Sequence, residues 1–112
     1  MRAIGLTLAM LLWALPAQAA DRTRFWNLTA NTINSLQLAP AGTTDFGKNQ
    51  CENDRDGTVD HDERLRITDI AAGRYDVKFS DTKGRVCIVK NVAVKPGEVF
   101  TIEEKQLKGC GK

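Results

Sequence analysis

The chain has 112 residues, 27% of them charged, with a formal net charge of +2. That length accommodates one domain. A balance this close to neutral, without Lys/Arg clusters, argues against nucleic acid or an acidic membrane surface as partner. A chain this short buries only about 60–65% of its unfolded surface, so its core is thin and a covalent staple would help.

Residues 1–19 read as a cleavable secretory signal peptide. Met1-Arg2 is a short basic start, residues 3–15 carry no charge, and Pro16 breaks any helix there. Ala17-Gln18-Ala19 has the small-x-small pattern of a cleavage site. An uncleaved anchor is the alternative reading, but a spanning helix needs about twenty apolar residues and this run is shorter. The single Arg2 points to the general secretory route rather than a twin-arginine one. The expected working protein is therefore residues 20–112, a single β-domain in the periplasm or outside the cell. Loss of Arg2 would lower its net charge to about +1.

Beyond that segment, apolar residues alternate with a period of two. Residues 24–30 predict a first strand with Trp26 and Leu28 on one face, and residues 33–38 a second with Leu36 and Leu38 together. Phe25, Trp26 and Phe46 are expected in the core, since the chain has few aromatics. Pro40, Gly42 and Gly47 mark a loop. Residues 64–70 alternate with Leu65 and Ile67 inward. Residues 74–80 place Tyr75, Val77 and Phe79 inward and Arg74, Asp76, Lys78 and Ser80 outward. Asp81-Thr82-Lys83-Gly84 is a hairpin loop with glycine where a positive φ is needed. Residues 86–94, the turn Lys95-Pro96-Gly97-Glu98, and the return strand 99–103 complete the series. Six to seven short strands with regular turns predict an all-β fold, a small antiparallel β-sandwich of immunoglobulin-like or transthyretin-like type; a small closed barrel is the alternative.

Cys51, Cys87 and Cys110 are an odd number, so at most one internal disulfide forms. A hairpin of 86–94 with 99–103 would carry Cys87 to the chain's end, favouring Cys87–Cys110. Closing that loop stabilises by about 3 kcal/mol on chain entropy. Cys51 paired with Cys87 or Cys110 stays open as an alternative. Residues 52–63 (ENDRDGTVDHDE) fit the spacing of an EF-hand calcium loop. Glu52, Asp54, Asp56, the carbonyl of Thr58, Asp60 and Glu63 would supply hard oxygens for Ca2+, and Gly57 the sharp turn. Glu52 stands where Asp is usual, and the flanks are not helical. The alternative is a solvated acidic turn neutralised by Arg55, Arg64 and Arg66. His61, the sole histidine, is flanked by Asp60 and Asp62 and is expected to be exposed. No second histidine or cysteine stands at transition-metal spacing from it.

With Phe25-Trp26-Asn27-Leu28-Thr29, Leu38-Ala39-Pro40-Ala41-Gly42, Phe46-Gly47-Lys48-Asn49, Gly73-Arg74-Tyr75-Asp76-Val77, Gly84-Arg85-Val86-Cys87 and Cys110 in place, the chain resembles a group of short exported β-proteins of Gram-negative bacteria, mostly uncharacterised and sometimes labelled Tat pathway signal proteins. The resemblance implies a small periplasmic β-domain and supports the late cysteine pair. It implies no reaction. The sequence thus points to a non-enzymatic domain that binds or scaffolds an unknown protein or envelope component. Two alternatives stand beside it: a calcium-binding module, and an enzyme using His61 or the free thiol of Cys51.

Overall fold

The computed structural model describes residues 22–111; the predicted signal segment, 1–19, lies outside them. Six strands form two three-stranded sheets. They are β1 (Arg24–Leu28), β2 (Ile33–Pro40), β3 (Arg64–Arg66), β4 (Gly73–Asp81), β5 (Val86–Val94) and β6 (Val99–Glu103). One sheet has the order β3-β1-β6 and the other β2-β4-β5. The expected all-β sandwich is therefore present. Its one parallel pairing is β1 with β6, and the other three are antiparallel.

The core lies between the sheets. Phe25, Leu65, Ile67, Phe100 and Ile102 face Ile33, Leu36, Leu38, Val77, Phe79, Cys87 and Val94, and the long loop adds Cys51 and Val59. Phe25 and Phe100 pack with ring centroids 5.4 Å apart. Leu65 and Ile67 point inward as their alternation requires, although β3 is only three residues long.

Two local expectations change. The Lys95–Glu98 turn forms, closed by Glu98 N–H to Lys95 O at 3.0 Å, but it does not return β6 to β5. Gly97 N–H donates to Thr23 Oγ1 (3.0 Å) and Arg24 N–H to Glu98 O (3.2 Å). The turn is thereby tied to the start of β1, so β6 enters the opposite sheet and Phe100 meets Phe25. Cys87 and Cys110 are nonetheless joined, with Cα atoms 4.4 Å apart. The chain's end reaches β5 directly, through an antiparallel bridge between Val86 and Gly111.

The second change concerns Asp76, which was expected to face solvent and is 3% exposed. β5 bulges opposite Tyr75–Val77, and Asn91 takes a φ of 60° there. The bulge turns the Asn91 N–H onto Asp76 Oδ1 (3.0 Å), while Gly42 N–H reaches Oδ2 (3.1 Å). Tyr75 is only half-buried, its hydroxyl donating to Ala71 O at 2.7 Å.

Candidate binding face

β1 has the opposite phase to that expected. Phe25, Asn27 and Thr29 are buried, and Trp26 and Leu28 lie on the outer side. Burying Asn27 is tolerable because every polar atom of its side chain is partnered. Nδ2 donates to Asn31 O and Val59 O, both at 3.0 Å. Oδ1 accepts from Thr29 N–H (2.9 Å) and Thr29 Oγ1 (2.7 Å). This network also holds the crossing from β1 into the other sheet.

The inverted phase creates a surface. In the register of β3-β1-β6, Arg24 stands opposite Arg66 and Val99, Trp26 opposite Arg64 and Thr101, and Leu28 opposite Glu103. These residues share the outer side of the sheet, because directly paired residues point the same way. The Arg64 guanidinium sits 4.1 Å from the centre of the Trp26 ring, a cation–π contact. Trp26 Nε1 donates to Asp62 Oδ1 at 3.0 Å. Among the described residues no carboxylate lies within ion-pair distance of Arg64 or Arg66. Arg24 and Arg66 stand directly opposite one another in the register. Trp26, expected in the core, instead belongs to this outer face. Phe46, also expected in the core, is half-buried, with Lys78 Nζ 5.3 Å from its ring centre.

The acidic loop does not assemble a cage. Glu52 lies in a 3-10 turn, Gln50–Asn53. Asp54 Oδ2 accepts from the N–H of Asp56 (2.9 Å), Asp60 Oδ1 from the hydroxyl of Thr32 (2.9 Å), and Glu63 Oε1 from the N–H of Asp60 (2.8 Å). Thr58 precedes Val59, whose two backbone bonds to Ile33 (2.9 and 2.8 Å) draw the middle of the loop into the core. Gly57, with a φ of 75°, makes the turn expected of it. Among the described residues, no three His, Cys, Asp or Glu side chains are placed to hold a metal ion. The loop acts as a strap across the sandwich.

His61 and Cys51, the residues expected to serve an enzyme reading, are placed as follows. The ring of His61 is exposed, but its Nδ1 is 2.7 Å from Thr29 O. Cys51 is free and buried. Burial, then the nearby Asp54 charge, pushes its thiol up to about 11, far from the thiolate that reactivity requires.

Among the described residues no helix is long and apolar enough to cross a membrane. In comparison with known proteins, the chain matches no family model, no curated protein and no solved structure.

Proposed function

We propose that this chain is an exported, non-enzymatic β-domain that binds an anionic component of the cell envelope through the outer face of β3-β1-β6. The observation that carries the reading is that face: Arg64 and Arg66, unanswered by carboxylates among the described residues, with Trp26 against Arg64. Two residues apart on one strand, the arginines stand about 7 Å from one another. Guanidinium groups grip carboxylate or phosphate oxygens with paired donors, and an indole ring supplies a flat apolar seat beside them. A short stretch of an anionic chain fits such a face.

Export is supported by the pattern of residues 1–19 and by the oxidised pair Cys87–Cys110, which suits an oxidising compartment. The resemblance to short exported β-proteins belongs to the same proposal. The engagement of His61 and Cys51 described above favours binding over catalysis. The calcium module expected from residues 52–63 is not part of the reading, because among the described residues no three acidic side chains of the loop are gathered to hold an ion.

The test uses Trp26, which is the sole tryptophan once residues 1–19 are removed. Titration with inorganic polyphosphate, and separately with polygalacturonate, is expected to change its fluorescence saturably, with an affinity that falls as salt rises. Indifference of Trp26 to both polyanions at low salt would rule the reading out.

A further inference from the structure

Each sheet has two rim strands, and a rim strand presents a row of N–H and C=O groups on which another chain can pair. This protein closes two of its rims with side-chain amides. On β2, Asn49 Oδ1 accepts from Leu36 N–H at 2.9 Å, and Gly47 N–H donates to Leu38 O at 3.0 Å. Beside β3, Gln50 imitates a strand residue: its Oε1 accepts from Thr68 N–H and its Nε2 donates to Thr68 O, both at 3.0 Å. Asn53 Nδ2 adds a bond to Arg66 O at 2.7 Å.

The β5 rim is closed in another way, and only at its first residue. Val86 N–H donates to Gly111 O (2.7 Å) and Gly111 N–H to Val86 O (2.8 Å). That two-bond bridge is a strand added to the edge, and the adjacent Cys87–Cys110 bond fastens it. In an antiparallel ladder the outward groups recur at every second residue, so those of Ile88 point to the same side as those of Val86. Among the described residues, no backbone bond of the turns, loops or tail reaches Ile88. Ile88 is 46% exposed and Val86 39%.

We propose that the β5 edge is a strand-addition site, that the C-terminal tail is its disulfide-held cover, and that its partner is a second copy of this chain, paired β5 to β5 across a two-fold axis at Ile88. The register is self-complementary. Ile88 meets Ile88 on the axis and each Val86 meets the other copy's Lys90, so exposed apolar side chains cluster at the centre and no like charges stand opposite one another. Asn91, at a φ of 60°, ends the regular edge and limits the pairing to this register. With the tail in place only the stretch from Ile88 to Lys90 is open, which is too short to hold a copy. Uncovering requires reduction. A dithiol donor gives two electrons and two protons to the Cys87–Cys110 bond, leaving two thiols here and a disulfide on the donor. Cys51, buried in the core, takes no part.

Sedimentation of the oxidised protein, and of the same protein in excess dithiothreitol, tests the proposal. The oxidised form is expected to be a monomer and the reduced form a dimer. Ile88→Lys should return the reduced form to monomer, and amide exchange at Ile88 should slow only in the dimer. Circular dichroism on each sample shows whether the fold survives reduction. If it does not, the full chain carrying Cys87→Val and Cys110→Ala provides the test instead. It frees the tail without a reductant and keeps position 87 apolar, so dimer is expected there too. The proposal is overturned if the folded reduced protein stays monomeric, if the folded double variant does so where reduction unfolds the chain, or if a dimer survives Ile88→Lys.

Discussion

Arg85 and the pair Arg64 and Arg66 lie on the same small sandwich and meet opposite surroundings. Arg85 Nε donates to Asp81 Oδ2 at 2.8 Å, and its two Nη atoms donate to Glu104 at 2.6 and 3.1 Å. Asp81 also accepts from Asn31 Nδ2 (3.2 Å) and from the backbone N–H groups of Lys83 and Arg85 (3.0 Å each). Glu104 accepts from Ala30 N–H at 2.8 Å. One arginine thus connects the β4–β5 hairpin, the β1–β2 crossing and the end of β6, and all its charge is answered. Among the described residues Arg64 and Arg66 meet no carboxylate, and Arg64 rests on the half-buried Trp26. The difference separates charge that holds the fold from charge that is left for a ligand.

The sharpest way to break the comparison is to cut the answered cluster. Asp81→Ala would leave Arg85 and several backbone donors without their acceptor. Removing one partner of a buried pair costs about 3–5 kcal/mol; the partial exposure of Arg85, 21% for its side chain, places the expected loss near the lower end, at about 3 kcal/mol. Urea unfolding measures it, and a loss under about 0.5 kcal/mol would erase the distinction between the two regions.

Acid should act on the same region. Asn91 and Gly42 N–H bonds hold Asp76 below the usual carboxylate range. Burial pushes Asp81 upward, but Arg85, Asn31 and the backbone donors outweigh it and leave it low; Arg85 and the Ala30 N–H lower Glu104. Groups with depressed folded values stabilise the fold above their unfolded values, and the contribution is lost as pH falls through the folded ones. Thermal melts should therefore be flat near neutrality and fall steadily below about pH 4. In Asp81→Ala that acid slope should be shallower.

The acidic loop is a third case, in which Asp54, Asp60 and Glu63 each accept one bond from the chain's own N–H or O–H groups. A calcium site of even millimolar affinity would raise the melting temperature by several degrees in excess calcium. A shift of less than about 1 °C is expected. A larger one would restore residues 52–63 as a cation loop.

Much of the fold was legible because alternation, turns and hydrophobicity agree over most strands. Leu36, Leu38, Leu65, Ile67, Val77 and Phe79 all face the core as their spacing requires. The hairpin at Asp81–Gly84 forms around Gly84, with a φ of 88°. The reading failed where a polar side chain is buried with all its bonds made. Asn27 and Thr29 read as outward, so Trp26 was placed in the core and the candidate face went unseen. One signal was available: Arg24, Trp26, Arg64 and Arg66 share a parity within their strands, which puts three arginines and an indole on one side once β1 pairs with β3. The sheet change after Lys95–Glu98 was not legible, because the turn's donors are spent on β1, a partner distant in sequence. The Cys87–Cys110 pair was found by way of a hairpin that does not exist, because proximity to β5 comes from the tail itself.

The central claim is that Arg64 and Arg66 serve a ligand and do little for the fold. It is tested most directly by the double variant Arg64→Ala/Arg66→Ala, with polyphosphate affinity and unfolding free energy measured on one preparation. Two exposed residues whose one strong contact among the described residues is the Arg64–Trp26 cation–π pair should change stability by no more than about 1 kcal/mol. Loss of their charge-assisted bonds should weaken binding at least about tenfold. Unchanged affinity, or a loss of affinity that follows a comparable loss of stability, would contradict the account.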